Sequence, residues 1–350
     1  NKLFKKKLMK NKNILETEYI ETGSEWKVRF WTVFIGQSLS LLGSMLTQFV
    51  LMWWITDTTG SISYLAAAGM AALLPQALLS PLGGVLADRF NRRIIMIVSD
   101  GISALCMIIL IGLFLSNNIA LWHVFVMMAI RGAMQAFQNP ASTASTAMLV
   151  PKSFITRAAG FNQMMQGVTL VASAPLGAFA VSVMPLGWAL SIDVVTAILA
   201  IVPLFIFAIP QIRQPKSSNS FGKIKTEFVE GLSFVWNNQG LKRLYLLLGC
   251  IVLIVMPSYT FIPLLVKEYF KGGATEVGLM EGLAGVGMLL GGVVVAVISP
   301  KRKIMWILIG STLTCLSLSF VALTPTNLFW MAAMWWLING LTFIFLNAPL

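Results

Sequence analysis

The sequence predicts an all-α protein that crosses a membrane many times, and three observations lead there. Of its 350 residues 57% are hydrophobic and only 11% are charged, where a soluble domain carries roughly 25% charged residues; the mean hydropathy is +0.82. The apolar residues gather in runs of about 20 with almost no charge, the length a helix needs to cross the hydrocarbon core. The basic residues fall on alternate loops between those runs. Helices follow because backbone polar groups in lipid must be satisfied within their own segment. A β-barrel would show alternating segments of ~10 residues instead, and the sequence has none.

Taken in order, residues 1–27 form a polar, basic tail. Lys5-Lys6-Lys7 is not followed by the apolar stretch of a secretory signal, so the tail reads as cytoplasmic, either solvated or touching anionic lipid. Ten apolar segments follow, at 28–55, 62–86, 94–115, 119–149, 157–181, 187–209, 241–265, 276–299, 304–323 and 327–350. Residues 28–209 hold six of them and 241–350 hold four. Between them lies a central loop, 210–240. Its polar start, with Pro215 and Ser217 to Ser220, leads into an expected surface helix from Phe221 to Trp236, where Phe221, Ile224, Phe228, Leu232 and Val235 recur at helical spacing.

Charge sets the expected orientation. With the N-terminus placed in the cytoplasm, the loops on that face carry 22 of the 25 Lys and Arg residues. The opposite face holds Lys267 and Lys271, and Arg131 lies inside a segment. Such an asymmetry over short loops is a positive-inside pattern. The net charge of +12 does not point to nucleic acid, because no basic-aromatic face is continuous. Cys106, Cys250 and Cys315 sit inside apolar runs without metal-ligand spacing and read as small core residues.

The sequence also repeats weakly. Leu82-Gly83-Gly84-Val85 closes the second segment and Arg92-Arg93-Ile94 opens the third; Leu290-Gly291-Gly292-Val293 closes the eighth and Arg302-Lys303-Ile304 opens the ninth. Internal repeats mark many secondary transporters. If the second half repeats the first, six segments are expected there, which reads as a chain cut after its tenth helix.

The most specific motif is Gly84-Val85-Leu86-Ala87-Asp88-Arg89-Phe90-Asn91-Arg92-Arg93, in the loop between the second and third segments. It resembles the loop signature of the major facilitator superfamily, with Asn91 where the family has its second glycine. Asn tolerates a left-handed backbone, so the turn is expected to survive. Gly84 is expected to let two helix ends approach closely, and Asp88 to pair with Arg92 or a neighbouring helix end. The resemblance implies two six-helix bundles that rock about a central cavity, with Gly84, Asp88, Arg89, Arg92 and Arg93 serving conformational switching rather than substrate contact. Arg131-Gly132-Ala133-Met134-Gln135 looks like the family's intramembrane Arg motif in helix four, tied to proton coupling in drug/proton antiporters. Gly167 with Ala174-Pro175-Leu176-Gly177 is similar to the helix-five antiporter motif, although Ala174 replaces a glycine; a plain kink explains Pro175 and Gly177 equally well. The run of segments and loop charges most resembles the macrolide-efflux branch of bacterial drug exporters. A small-molecule substrate, protons, a monomer and the bacterial cytoplasmic membrane are implied, with no cofactor.

Ionisable groups at depth in a membrane are costly and usually have a partner or a task. Arg131, Asp100, Asp193 and Glu281 qualify. Each has a structural alternative: an ion pair for Arg131, pairing with Arg92-Arg93 for Asp100, a helix-end hydrogen bond for Asp193, an interfacial position for Glu281 as for Glu276. A proton carrier needs a carboxylate whose proton affinity its surroundings tune. His123, next to Trp122, reads as an interfacial anchor. Gln37, Gln48, Gln163, Gln166 and Asn339, with Asn347, Met164 and Met165, are candidates for the wall of a cavity suited to bulky amphipathic molecules; helix–helix hydrogen bonds would explain the amides as well. Drug efflux is thus the expected function, with export of a metabolite, siderophore or lipid as the alternative within transport. The sequence has no phosphate-binding loop of the G-x-x-x-x-G-K-[S/T] type, and its single histidine and lack of a nucleophile–base cluster disfavour a membrane enzyme. A sensor would usually add a soluble domain.

Overall fold

The computed structural model describes residues 26–207, 209, 233, 236–298 and 303–347. Most of the N-terminal tail and of the central loop lies outside them, and so does all but residues 233 and 236 of the surface helix expected at 221–236. Among the described residues are ten long helices, one in each expected segment. They are α1 (Trp26–Thr59), α2 (Ile62–Arg89), α3 (Arg92–Leu115), α4 (Leu121–Met148), α5 (Ile155–Val183), α6 (Ser191–Ile206, entered through a single helical turn at Leu186–Ala189), α7 (Gln239–Leu264), α8 (Ala274–Ile298), α9 (Lys303–Leu323) and α10 (Phe329–Asn347). A π-helical turn, Leu265–Tyr269, extends α7.

Local chemistry explains several helix starts. Asn91 Oδ1 accepts from the Arg93 backbone N–H at 3.0 Å and caps α3. Its φ of −65° and ψ of 108° are extended, so the residue is there as a cap and not for the left-handed turn expected of it. His123 Nδ1 accepts from the Ala120 N–H at 3.0 Å, at the start of α4. Glu276 Oε2 accepts from the Gly273 N–H at 2.7 Å, ahead of α8. Asn238 caps α7 through the N–H groups of Gly240 and Leu241.

Seven of the helices are long and apolar enough to cross a bilayer, and α10 contains a shorter apolar helix. The 28 residues of α4 would also reach across, but Arg131, Gln135, Gln138, Ser142 and Ser145 recur along one of its faces at helical spacing. Its missing apolarity is the signature of an inner wall. Outward faces carry exposed apolar side chains such as Leu78, Phe179, Ile206 and Leu323, as lipid contact requires. Cys106 is buried, whereas Cys315 is exposed and is not the core residue expected.

Helices α1 to α6 pack on one another, chiefly α2 on α4, α1 on α5 and α6, and α3 on α4 and α6; α8 and α9 pack on α10. Glycines bring several of these pairs to backbone contact. A Cβ on Gly132 or Gly83 would collide with the backbone of Ala72 or Ala136, across α2 and α4. A Cβ on Gly287, Gly291 or Gly340 would do the same across α8 and α10. Close approach through small residues is how membrane helices gain packing energy without a hydrophobic drive. In each repeat the first glycine of the pair makes this contact. Gly84 and Gly292 have nothing within 4 Å, so the close approach expected of Gly84 belongs to Gly83.

Candidate functional site

The two groups of helices meet along α5 and α8. Gly278 lies against Ala174 and Ala178, Gly282 against Pro175 and Gly285 against Val171, where a Cβ would stand 2.6 to 2.7 Å from its nearest neighbour in each case. Farther toward the Asp88 loop the seam loosens: a Cβ on Gly167 would stand 3.5 Å from Leu289, and Gly292 is open. At the end away from that loop α7 closes on α1. Lys267 Nζ pairs with Asp57 Oδ1 at 3.0 Å and donates to the Asp57 and Thr56 carbonyls at 2.6 and 3.3 Å. The helices are therefore sealed at one end and part at the other.

The gap is a cavity of about 710 Å3, walled by α1, α3, α4, α5, α6 and α8 with Ile344 of α10, within the range of drug-sized pockets. Of the amides singled out in the sequence, Gln37, Gln163 and Gln166 line it, as do Met165 and Gly167. Gln48 does not. It sits in a narrow cleft beyond Arg131 with Gln76 and Gln135, because α1 continues past the charged layer that ends the cavity. Asn339 is also elsewhere, fully buried inside the second group of helices. Met164 is exposed outside the lining, and the side chain of Asn347 lies outside the described residues.

Two polar clusters stand in the wall. In the deeper one Arg131 Nη2 of α4 pairs with Asp193 Oδ2 of α6 at 2.8 Å, both side chains almost wholly buried. Ser44 of α1 donates to Asp193 Oδ1 at 3.0 Å, while Arg131 Nε has no partner. The ion pair weighed for Arg131 is thus formed, and with the residue read as a helix-end donor or acceptor. In the second cluster Gln138 Nε2 of α4 donates to Gln37 Oε1 of α1 at 2.6 Å and to Asp100 Oδ2 of α3 at 3.2 Å, and Gln37 Nε2 donates to the same oxygen at 3.3 Å. Asp100 does not pair with Arg92 or Arg93. Those two side chains are held at helix ends: Arg92 by Asp88 at 3.3 Å and by the Ala87 carbonyl, Arg93 by the Phe205 carbonyl that ends α6.

The motif thus ties together the ends of α2, α3, α4 and α6, the α4 contact being Arg92 with Met148 Sδ. The side chain of Asp88 is 65% exposed and, among the described residues, bonds to Arg92 within this group. Pro175 and Gly177 do not interrupt α5. Pro175 packs on Gly282, and a Cβ on Gly177 would stand 2.7 Å from the Phe49 ring, so both serve packing against α8 and α1. Glu281 is half-buried and has no hydrogen-bond or ion-pair partner among the described residues. It shares a helical face with the lining residues Gly285, Met288 and Gly292, one turn toward the sealed end. The sequence reading missed Gln138, Ser44 and the Lys267–Asp57 link. The polar stripe of α4 would have revealed Gln138. No sequence signal marks the link, because α1 and α7 lie far apart in the chain.

The family model described as Major Facilitator Superfamily matches residues 33–350. The chain is 30% identical over 324 residues to macrolide efflux protein A of Streptococcus pyogenes, covering 92% of this chain and 80% of that protein. It is 30% identical over 274 residues to macrolide efflux protein A of Enterococcus faecalis, covering 78% of this chain and 84% of that one. Among solved structures, a bacterial homologue of the human lysosomal transporter Spinster, inward-facing and unoccupied, matches with a TM-score of 0.67 at 15% identity, over 93% of this chain and 74% of its own. A bacterial homologue of the iron transporter ferroportin, in an inward-facing state, matches with a TM-score of 0.63 at 13% identity, over 92% and 82%.

Proposed function

The chain belongs to the Major Facilitator Superfamily, and on that premise we propose that it exports hydrophobic or amphipathic drugs, macrolides among them, from a bacterial cell in exchange for protons. The observation that carries this reading is the large cavity between the two groups of helices, whose wall reaches a buried ion pair. In this reading the Asp88 end faces the cytoplasm, which the basic charge on its loops supports. A molecule then enters from the cytoplasm or inner leaflet and leaves when the Lys267 end opens, the protein working as a monomer. The identity to two macrolide efflux proteins supports the substrate class.

Coupling falls to Arg131 and Asp193. A proton on Asp193 would remove the charge that holds Arg131 at 2.8 Å, beside the narrow cleft lined by Gln48, Gln76 and Gln135. Glu281, on the facing helix, is a second place for a proton. The Asp88 motif, whose contacts among the described residues lie within the first group, supplies the cytoplasmic contact of the opposite state.

Macrolide accumulation in cells, with and without expression of the protein, tests the proposal. Expression should lower accumulation, and a protonophore should restore it. Unchanged accumulation of every macrolide tried would remove the substrate assignment. Efflux that survives collapse of the proton gradient would remove the coupling.

A further inference from the structure

Among the described residues, the charged side chains lining the cavity are carboxylates, one of them paired with Arg131 behind it. The lining includes the carboxylates Asp100 and Asp193 and no Lys, Arg or His. Asp193 is neutralised by Arg131. Asp100 is not neutralised: it is 7% exposed, and its partners are the amides of Gln37 and Gln138. The two arginines at the start of its own helix are occupied at helix ends. Beside it Gln138 Oε1 is buried without a donor. A carboxylate and an amide oxygen thus stand together, both acceptors, with no cation supplied to them among the described residues. A buried carboxylate left this way is costly, and a buried acceptor without a donor adds to the cost.

We propose that Asp100 is the counter-ion for one protonated amine on the transported molecule, with Gln138 Oε1 accepting a further N–H or a polar hydrogen beside it. The cavity then selects amphipathic monocations over neutral or anionic molecules of the same size. The rest of the molecule meets Met45, Met134, Met165 and Met288, flexible and polarisable side chains that adapt to varied apolar shapes. Opposite charge on an amphipathic body is the combination this wall fits. The inference rests on the reading of the cavity as a drug-export site and adds the charge that the site reads.

The test uses the full chain in lipid nanodiscs and two probes. One is erythromycin, which carries a dimethylamino sugar. The other is the same macrolide with that nitrogen demethylated and acetylated, a neutral amide. Equilibrium dialysis should show the wild type binding the amine at least about tenfold more tightly, the order expected for one charged hydrogen-bonded contact. Asp100→Asn should weaken amine binding to the level of the amide and leave amide binding within about twofold; Asp100→Glu should keep the preference. Equal binding of the two probes by the wild type, or equal loss of both in Asp100→Asn, overturns the role of Asp100 while cellular efflux still stands. If Asp100→Asn does not fold, the wild-type comparison of the two probes decides alone. Failure to bind either probe, together with absence of cellular efflux, overturns the drug-export reading as well.

Discussion

Arg131-Gly132 in α4 and Asn339-Gly340 in α10 stand 208 positions apart, the same offset that separates Leu82-Gly83-Gly84-Val85 from Leu290-Gly291-Gly292-Val293. The glycines do the same work: Gly132 meets the Ala72 backbone on α2, and Gly340 meets the Ala284 backbone on α8. The residues before them do opposite work. Arg131 is a buried cation held by Asp193, with its Nε unpaired. Asn339 is a buried amide whose groups are all used: Oδ1 accepts from Tyr259 Oη at 2.7 Å, and Nδ2 donates to Ser317 Oγ and the Thr314 carbonyl at 2.9 and 3.0 Å. One architecture therefore holds a buried ion pair in one half and a neutral hydrogen-bonded network in the other. The proposed coupling therefore draws on the first group of helices alone, and the second group supplies a neutral network with its hydrogen bonds filled.

The largest effect should follow from unbalancing the charged side. Arg131→Met leaves Asp193 buried without a counter-charge, and removing one partner of a buried pair costs about 3–5 kcal/mol. The double variant Arg131→Asn with Asp193→Asn makes the first group as neutral as the second. It should regain most of the lost stability, because a buried ion pair adds little over a neutral replacement, and it should lose gradient-driven export while still exchanging substrate down a concentration gradient. Thermal unfolding and transport in proteoliposomes, with and without an imposed pH gradient, measure both. Gradient-driven export by the double variant would break the comparison.

The sequence carried the existence of the ten long helices among the described residues, because a run of apolar residues is a one-dimensional signal. It also carried the depth of Arg131, Asp100 and Asp193, which is a count along one helix. It did not carry their partners. Whether Asp100 meets Arg93, seven residues away, or Gln138 on another helix depends on how α3 and α4 are rotated about their axes, and packing through Gly83 and Gly132 sets that rotation. Asn91 shows a related limit: its residue type suits both a left-handed turn and a helix cap, and only the backbone chooses. Gln48 and Asn339 were assigned to a cavity wall on polarity alone, and polarity inside a membrane protein marks a filled hydrogen-bond network as readily as an open space.

A smaller effect is expected on the neutral side. Asn339→Leu leaves the Tyr259 hydroxyl and Ser317 without their amide partner, a loss of about 1–3 kcal/mol. Stability should fall, while the ratio of export with a pH gradient to export without one should stay at the wild-type value. A fall in that ratio would show that the second group takes part in coupling, and the contrast between Arg131 and Asn339 would lose its meaning.

The smallest effect belongs to the joint between the groups. Lys267 leaves the π-helical turn after α7 and reaches the C-terminal carbonyls of α1, where the helix dipole favours a cation, as well as the Asp57 carboxylate. Both side chains retain access to solvent, a quarter for Lys267 and 61% for Asp57, so the pair is worth about 1 kcal/mol or less. Lys267→Met should therefore shift the balance toward opening at this end by several-fold at most, and Asp57→Asn by less, because the two carbonyl contacts survive. Spin labels placed at the ends of α2 and α7 near this joint would report the change as a larger population of long distances. Coupling should remain intact in both variants, since neither touches Arg131 or Asp193. If Lys267→Met instead abolished the dependence of export on the pH gradient, the charged layer and the gate would have to act as one unit, and the division between a titrating group and a fixed one would be drawn in the wrong place.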